Sequence, residues 1–201
     1  MLENNLSEHI PENNSEESQK GSKKSSCMGF VIDTVETILL ALILFLGINA
    51  VSARVRVENV SMEPTLMPGE FLLVNRVAYK IGTPKIGDII IFHAPGVDDL
   101  DYIKRLIGRP GDSVRIEGGI VYVNDQALYE TYIADPPNYT GAWEVPEGQF
   151  FVLGDNRNNS SDSHLWGFIP EESVVGKALL IYWPLDAVTL LTGATPVQAA
   201  Q

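Results

Sequence analysis

The sequence predicts a mainly β fold: coiled antiparallel sheets forming one domain over 54–186, preceded by a single transmembrane helix over 30–50. Three observations carry this. Residues 30–50 are one stretch dominated by Leu, Ile, Val, Phe and Ala. Beyond it, short apolar runs alternate with Gly, Pro and Asn turns, the pattern of closely spaced strands. No stretch after residue 50 holds the 3.6-residue apolar period of a long amphipathic helix.

Residues 1–29 are rich in Glu, Asn, Ser and Lys and poor in apolar side chains. Such a segment has too little surface to bury, which predicts a disordered tail. As a helix, 30–50 would span roughly 31 Å at about 1.5 Å per residue, matching the ~30 Å hydrocarbon core of a bilayer. Asp33 and Glu36 fall in its first two turns, at headgroup level. A cleaved leader is the competing reading, with Lys23 and Lys24 as its basic region, Ile38 to Ile48 as its apolar core and Val51-Ser52-Ala53 as its cleavage site. Total length and the hydrophilic segment in front favour a retained anchor. Lys20, Lys23 and Lys24 before the segment, against Arg54 and Arg56 after it, put the tail in the cytoplasm.

Strands follow. Val55 and Val57 alternate with Arg54, Arg56 and Glu58. Phe71-Leu72-Leu73-Val74 comes after a Pro68-Gly69 turn, and Asp88 to Phe92 after Gly87. Val114-Arg115-Ile116 and Ile120 to Val123 flank Gly118-Gly119, a hairpin signal. Asn124-Asp125 closes the next turn. Gln149 to Leu153 ends at Gly154. Val174-Val175 and Ala178 to Trp183 are the last strands. Asp135 to Trp143 reads as a surface loop, and 187–201 as a C-terminal tail with a frayed end from Thr195.

Composition narrows the function. The 201 residues carry a net charge of −12, and a phosphate-binding face needs clustered Lys and Arg, so nucleic acid is an unfavoured partner. A single cysteine, Cys27, excludes an intramolecular disulfide and paired-cysteine zinc sites. Cys27 reads as a free thiol before the apolar run, with palmitoylation as the other reading. His9, His93 and His164 are scattered, with no metal-ligand spacing.

Three stretches carry chemistry. Val60-Ser61-Met62-Glu63-Pro64-Thr65-Leu66 sets a hydroxyl in a stiff frame, because Pro64 fixes its own φ and disfavours helix at Glu63. A serine hydroxyl is a poor nucleophile without a base to take its proton. Tyr102-Ile103-Lys104-Arg105-Leu106-Ile107 reads as a strand, in which Lys104 and Arg105 point to opposite faces and one must face inward. Gly154 to His164 is a dense polar run between apolar strands, able to make a rigid loop by bonding its own backbone. Taken singly, each is explained by a turn serine, an exposed strand lysine and a solvated loop.

Taken together they are more specific. The sequence resembles the type I signal peptidases, membrane-anchored Ser/Lys endopeptidases that remove leader peptides from exported proteins. The likeness covers roughly residues 30–184 and rests on four stretches in order: Ser61 to Leu66; Gly87 to Phe92; Tyr102 to Arg105 through Gly108-Arg109-Pro110-Gly111-Asp112; and Gly154-Asp155-Asn156-Arg157 through Ser160, Asp162, Ser163 and Trp166-Gly167-Phe168-Ile169-Pro170. The resemblance implies Ser61 as nucleophile and Lys104 as general base, with Ser160 hydrogen-bonding Lys104. It implies that Asp155 pairs with Arg105 and that Asp162 braces the same loop. The family's oxyanion hole uses the nucleophile's own N–H and a serine hydroxyl two residues earlier. Asn59 stands at that earlier position here and would donate its amide N–H instead. His164 stands where an arginine is also common. No metal or organic cofactor is implied. The implied partners are secretory preproteins and the lipid bilayer. The implied location is a single-pass cell-membrane protein with its catalytic domain on the extracytoplasmic side, or the lumenal side of an internal membrane.

These roles are consistent with the physical chemistry. A lysine near its reference pKa of about 10.4 cannot act as a base at neutral pH. Burial lowers that value, and Ile103, Met62 and Leu66 are expected to desolvate Lys104. Met62, Leu66, Tyr102 and Ile103 would line a cleft for small side chains, with substrate adding as an extended strand. That suits cleavage after an Ala-X-Ala type site. Three other readings stay open at this point. One is a Ser-His-Asp hydrolase using His93 or His164, one a self-cleaving Ser/Lys regulator, and one an inactive membrane-anchored interaction protein.

Overall fold

A computed structural model of the chain describes residues 22–96, 100–191 and 193, with side chains from residue 28. The expected tail over 1–21 and most of the expected C-terminal tail lie outside the described residues. Two compact units divide the chain, Met1–Gly47 and Ile48–Gln201.

The first unit holds most of helix α1, Ser22–Val51. It begins eight residues earlier than the expected 30–50, inside the stretch read as disordered. Met28–Val51 is long and apolar enough to cross a membrane. Its apolar side chains are exposed all round, which suits hydrocarbon and not water.

The second unit is antiparallel β structure. In order it contains β1 (Ser52–Arg56), β2 (Phe71–Asn75), the short helix α2 (Ala78–Ile81), β3 (Ile89–His93), β4 (Asp101–Gly108), β5 (Ser113–Glu117), β6 (Ile120–Val123), β7 (Gln126–Ala127), β8 (Gly141–Glu144), β9 (Gln149–Leu153), the short helix α3 (Ser163–Trp166), β10 (Ile169–Pro170), β11 (Val174–Trp183) and β12 (Thr189–Leu190). The larger sheet runs β1-β2-β11-β3-β4-β9-β10, with β12 added to β11, and the smaller runs β7-β6-β5-β8. The mainly β class and the coiled antiparallel architecture are those the sequence predicts.

Side-chain alternation explains the layers. In β3, Ile89 and Ile91 enter one core cluster with Leu72, Val74 and Ile181. Ile90 and Phe92 enter another, with Leu106 and Val152. A strand buried on both faces reads as a continuous apolar run, as this one does. In β9, Phe151 and Leu153 turn instead to a third cluster with Ile107, Val114 and Val121, which packs the smaller sheet. The β5–β6 turn places Gly118 and Gly119 at φ +61° and +80°, the two positive values that a two-residue hairpin turn needs.

Three boundaries differ from expectation. The β domain starts at Ser52, because β1 pairs Ser52 with Asn75 before the predicted residue 54. It runs past 186, because Leu190 and Thr189 pair with Leu180 and Ile181. The end of the Asp135–Trp143 loop is strand: Trp143 pairs with Val114 in β8–β5 and packs on Phe151.

Candidate active site

Ser61 sits in a single 3₁₀ turn, Val60–Met62. Glu63, before Pro64, is extended at φ −63° and ψ 143° and ends the turn. Leu66 N–H then bonds the Met62 carbonyl at 2.9 Å. The turn is held from outside by Asn156, whose backbone N–H donates to the Ser61 carbonyl at 3.0 Å and whose side chain donates to the Val60 carbonyl at 3.1 Å.

Lys104 and Arg105 lie at the centre of β4, both buried, at 4% and 1% exposure. Adjacent strand residues face opposite ways, and these two find different partners. Lys104 Nζ donates to Ser61 Oγ at 2.6 Å. Arg105 donates Nε to Asp155 Oδ1 at 2.8 Å, Nη2 to Asp155 Oδ2, and Nη1 to the Gly87 carbonyl at 2.8 Å. Burial pushes the Lys104 pKa down to about 8, against the raising effect of the Asp162 and Asp155 charges.

Asp162 caps the short helix α3 by accepting from His164 N–H. It also accepts from Gly154 N–H at 2.9 Å and contacts His164 Nδ1 at 2.6 Å. His164 is thus the partner of Asp162, and Tyr139 stacks on its ring at 3.9 Å. The His164 ring is spent on Asp162, and His93 pairs with Asp101 at 2.8 Å on an exposed edge. Neither histidine bonds Ser61 Oγ, so the Ser-His-Asp reading has no geometric support.

An open cleft of about 1250 Å³ runs over Ser61 and Lys104. Its walls include Val55, Asn59, Met62, Tyr102 and Ile103. Asn59 is exposed there, and its side chain makes no capping bond to the turn. Two expectations are corrected. Leu66 does not line the cleft: four residues beyond Met62, it is fully buried in the cluster that holds Leu72, Val74 and Ile89. Ser160 makes no hydrogen bond to Lys104. Its hydroxyl is buried without a partner among the described residues and lies against Gly154, where a side-chain Cβ would collide with it. Lys104 Nζ is turned to Ser61 instead.

Asn156 is the positioning group that residue-by-residue reading missed. The signal was its place, next to Asp155 in a Gly-Asp-Asn turn, where an amide can bond a neighbouring backbone.

A family model described as signal peptidase, peptidase S26, matches residues 31–183. The chain is 43% identical over 174 residues to a probable signal peptidase I-2 of Synechocystis sp., covering 83% of this chain and 79% of the relative. It is 41% identical to a signal peptidase I of Leptolyngbya laminosa over 78% of this chain and 81% of the relative. It is 38% identical to the chloroplastic thylakoidal processing peptidase 1 of Arabidopsis thaliana, over 66% of this chain and 42% of the relative. The matched span runs from within α1 to the end of β11 and takes in Ser61, Lys104 and the 154–164 loop alike, and on that ground the chain belongs to the signal peptidase family, peptidase S26.

Proposed function

We propose that this chain is a serine endopeptidase that removes N-terminal signal peptides from exported preproteins, cutting after an Ala-X-Ala type site with Ser61 as nucleophile and Lys104 as general base. The observation that carries the assignment is the 2.6 Å contact from Lys104 Nζ to Ser61 Oγ at a lysine whose pKa burial has brought to about 8.

In this mechanism the substrate lies extended in the cleft, alternate side chains entering it between Val55, Tyr102 and Ile103. Neutral Lys104 takes the Ser61 hydroxyl proton as Oγ attacks the scissile carbonyl. The oxyanion that develops is met by the Ser61 N–H and the Asn59 amide. The Lys104 ammonium then gives its proton to the leaving amine, and the acyl ester is cleared when neutral Lys104 deprotonates water. Arg105 with Asp155, and Asp162 with His164, hold the loop that backs Ser61. Helix α1 anchors the domain on the extracytoplasmic face, beside a substrate that itself emerges from the bilayer.

The test uses detergent-solubilised protein and a preprotein whose leader ends in Ala-X-Ala. Site-specific cutting by wild type, lost in both Ser61→Ala and Lys104→Ala, supports the mechanism. Cutting that survives Lys104→Ala removes the proposed base. No cutting by wild type on several preproteins favours the interaction-protein reading. Protease accessibility of the β domain from the outside of sealed cells tests the orientation.

A further inference from the structure

Behind the turn that follows β9, a second buried ion pair takes no part in this chemistry. Arg157 donates Nη1 and Nη2 to the two carboxylate oxygens of Glu130, each at 2.7 Å. The two side chains are 0% and 5% exposed. Tyr132 donates its hydroxyl to the same carboxylate. Burial, then the Glu130 charge, raises the Tyr132 pKa, so the phenol stays an O–H donor. Its ring lies against both guanidinium groups, at 3.8 Å from Arg105 and 5.9 Å from Arg157.

This cluster reaches both members of the proposed dyad. Arg157 Nε donates to the Gly154 carbonyl at 3.0 Å, gripping the turn whose next residue but one, Asn156, bonds the Ser61 carbonyl. Arg105, under the Tyr132 ring, is the strand neighbour of Lys104. We infer that Glu130, Tyr132 and Arg157 form a clamp that positions Ser61 and Lys104 relative to each other, so that a segment outside the cleft sets the turnover rate. The inference rests on the reading of Ser61 and Lys104 given above.

A merely structural ion pair makes a different prediction. Replacing both partners of a buried pair by apolar residues of similar volume is often neutral for stability, whereas removing one leaves a buried charge unpaired. The double variant Glu130→Leu/Arg157→Met therefore separates folding from positioning. It is compared with wild type, Tyr132→Phe and Ser61→Ala by thermal melting and by kcat and KM on the Ala-X-Ala preprotein, using the full chain in detergent. The expected result is a melting temperature near wild type, KM within about two-fold, and kcat lowered by about 10- to 100-fold, the scale of a small misplacement of reacting groups. A double variant with wild-type kcat overturns the clamp, as does a kcat loss that disappears when the assay is run below a lowered melting temperature. If the double variant does not fold, Tyr132→Phe decides: it keeps the ring and loses only the Glu130 bond, and an unchanged kcat there overturns the clamp. Wild type that does not cut, or Ser61→Ala that does, overturns the reading of the site and the clamp with it. Wild type that cuts beside an unaltered double variant overturns the clamp alone.

Discussion

The pKa of Lys104 makes the sharpest prediction. Burial lowers it from 10.5 to about 8. At pH 7, a group with a pKa near 8 is neutral in about one molecule in ten, and one left at 10.5 in about one in three thousand. Burial of β4 at this position thus raises the population of neutral Lys104, the form the proposed mechanism needs, about 300-fold at neutral pH. The profile of kcat/KM, which reports the free enzyme, should rise about tenfold per pH unit from pH 6 and level off above about pH 8. Asp162 opposes the shift, so Asp162→Asn, which keeps an acceptor for Gly154 N–H and removes the charge, should move the rising limb to lower pH. Initial rates on a fluorogenic Ala-X-Ala peptide in detergent, from pH 5.5 to 10.5, measure both limbs. A wild-type limb centred near 10.5 would refute the claim that burial makes the base. A limb that moves to higher pH in Asp162→Asn would refute the assigned electrostatics.

Three further outcomes are expected. Lys104→Met should stabilise the fold at pH 7 while abolishing cutting, because a lysine whose folded pKa lies below its unfolded value costs stability: the drop from 10.5 to about 8 corresponds to about 3 kcal/mol at about 1.4 kcal/mol per unit. That cost is full below pH 8, shrinks between 8 and 10.5 and is gone above, so detergent melts at pH 7 and pH 10.5 should show a gain only at the lower pH. Leu66→Ala should cost about 2–5 kcal/mol of stability, as a core truncation does, and leave KM unchanged, whereas a raised KM in a stable variant would restore Leu66 to the cleft. Gly154→Ala would bring a Cβ within 2.5 Å of the Ser61 carbonyl oxygen, and should lower kcat by about 100-fold with KM nearly constant.

What was legible in the sequence follows from what periodicity encodes. The Ile89 to Phe92 run announced a strand buried on both faces. Gly118-Gly119 announced a hairpin, because few residues other than Gly take two successive positive φ values without strain. Val174-Val175 and Ala178 to Trp183 read as two strands and are one. Gly176 interrupts the pattern, and the structure gives its reason: β2 approaches so closely that a Cβ there would lie 2.5 Å from the Asn75 carbonyl oxygen. A close backbone approach is a tertiary fact with no local signature. The same holds at the site. Ser61 and Lys104 stood out by residue type and setting, but the rotamer of Ser160 and the inward turn of Leu66 depend on how the 154–164 loop and the 60–66 turn pack together. The Glu130–Arg157 pair joins segments 27 residues apart, and no spacing rule links them.

The deepest constraint lies in two neighbouring residues. A strand that buries Lys104 on one face must send Arg105 to the other, and the structure buries both. Two adjacent buried cations are tolerable only if each is dealt with differently. Arg105 has a planar fork that matches a carboxylate, a guanidinium keeps its proton, and Asp155 supplies the bidentate partner. Lys104 has a single nitrogen whose proton can leave, and its close contact is an uncharged hydroxyl. Exchanging the two residue types would leave a base that cannot deprotonate on one face and a point charge before a forked carboxylate on the other. The choice of Lys104 over Arg105 as the proposed base therefore follows from their partners: the carboxylate holds the residue that must stay charged, and the hydroxyl faces the one whose proton can leave.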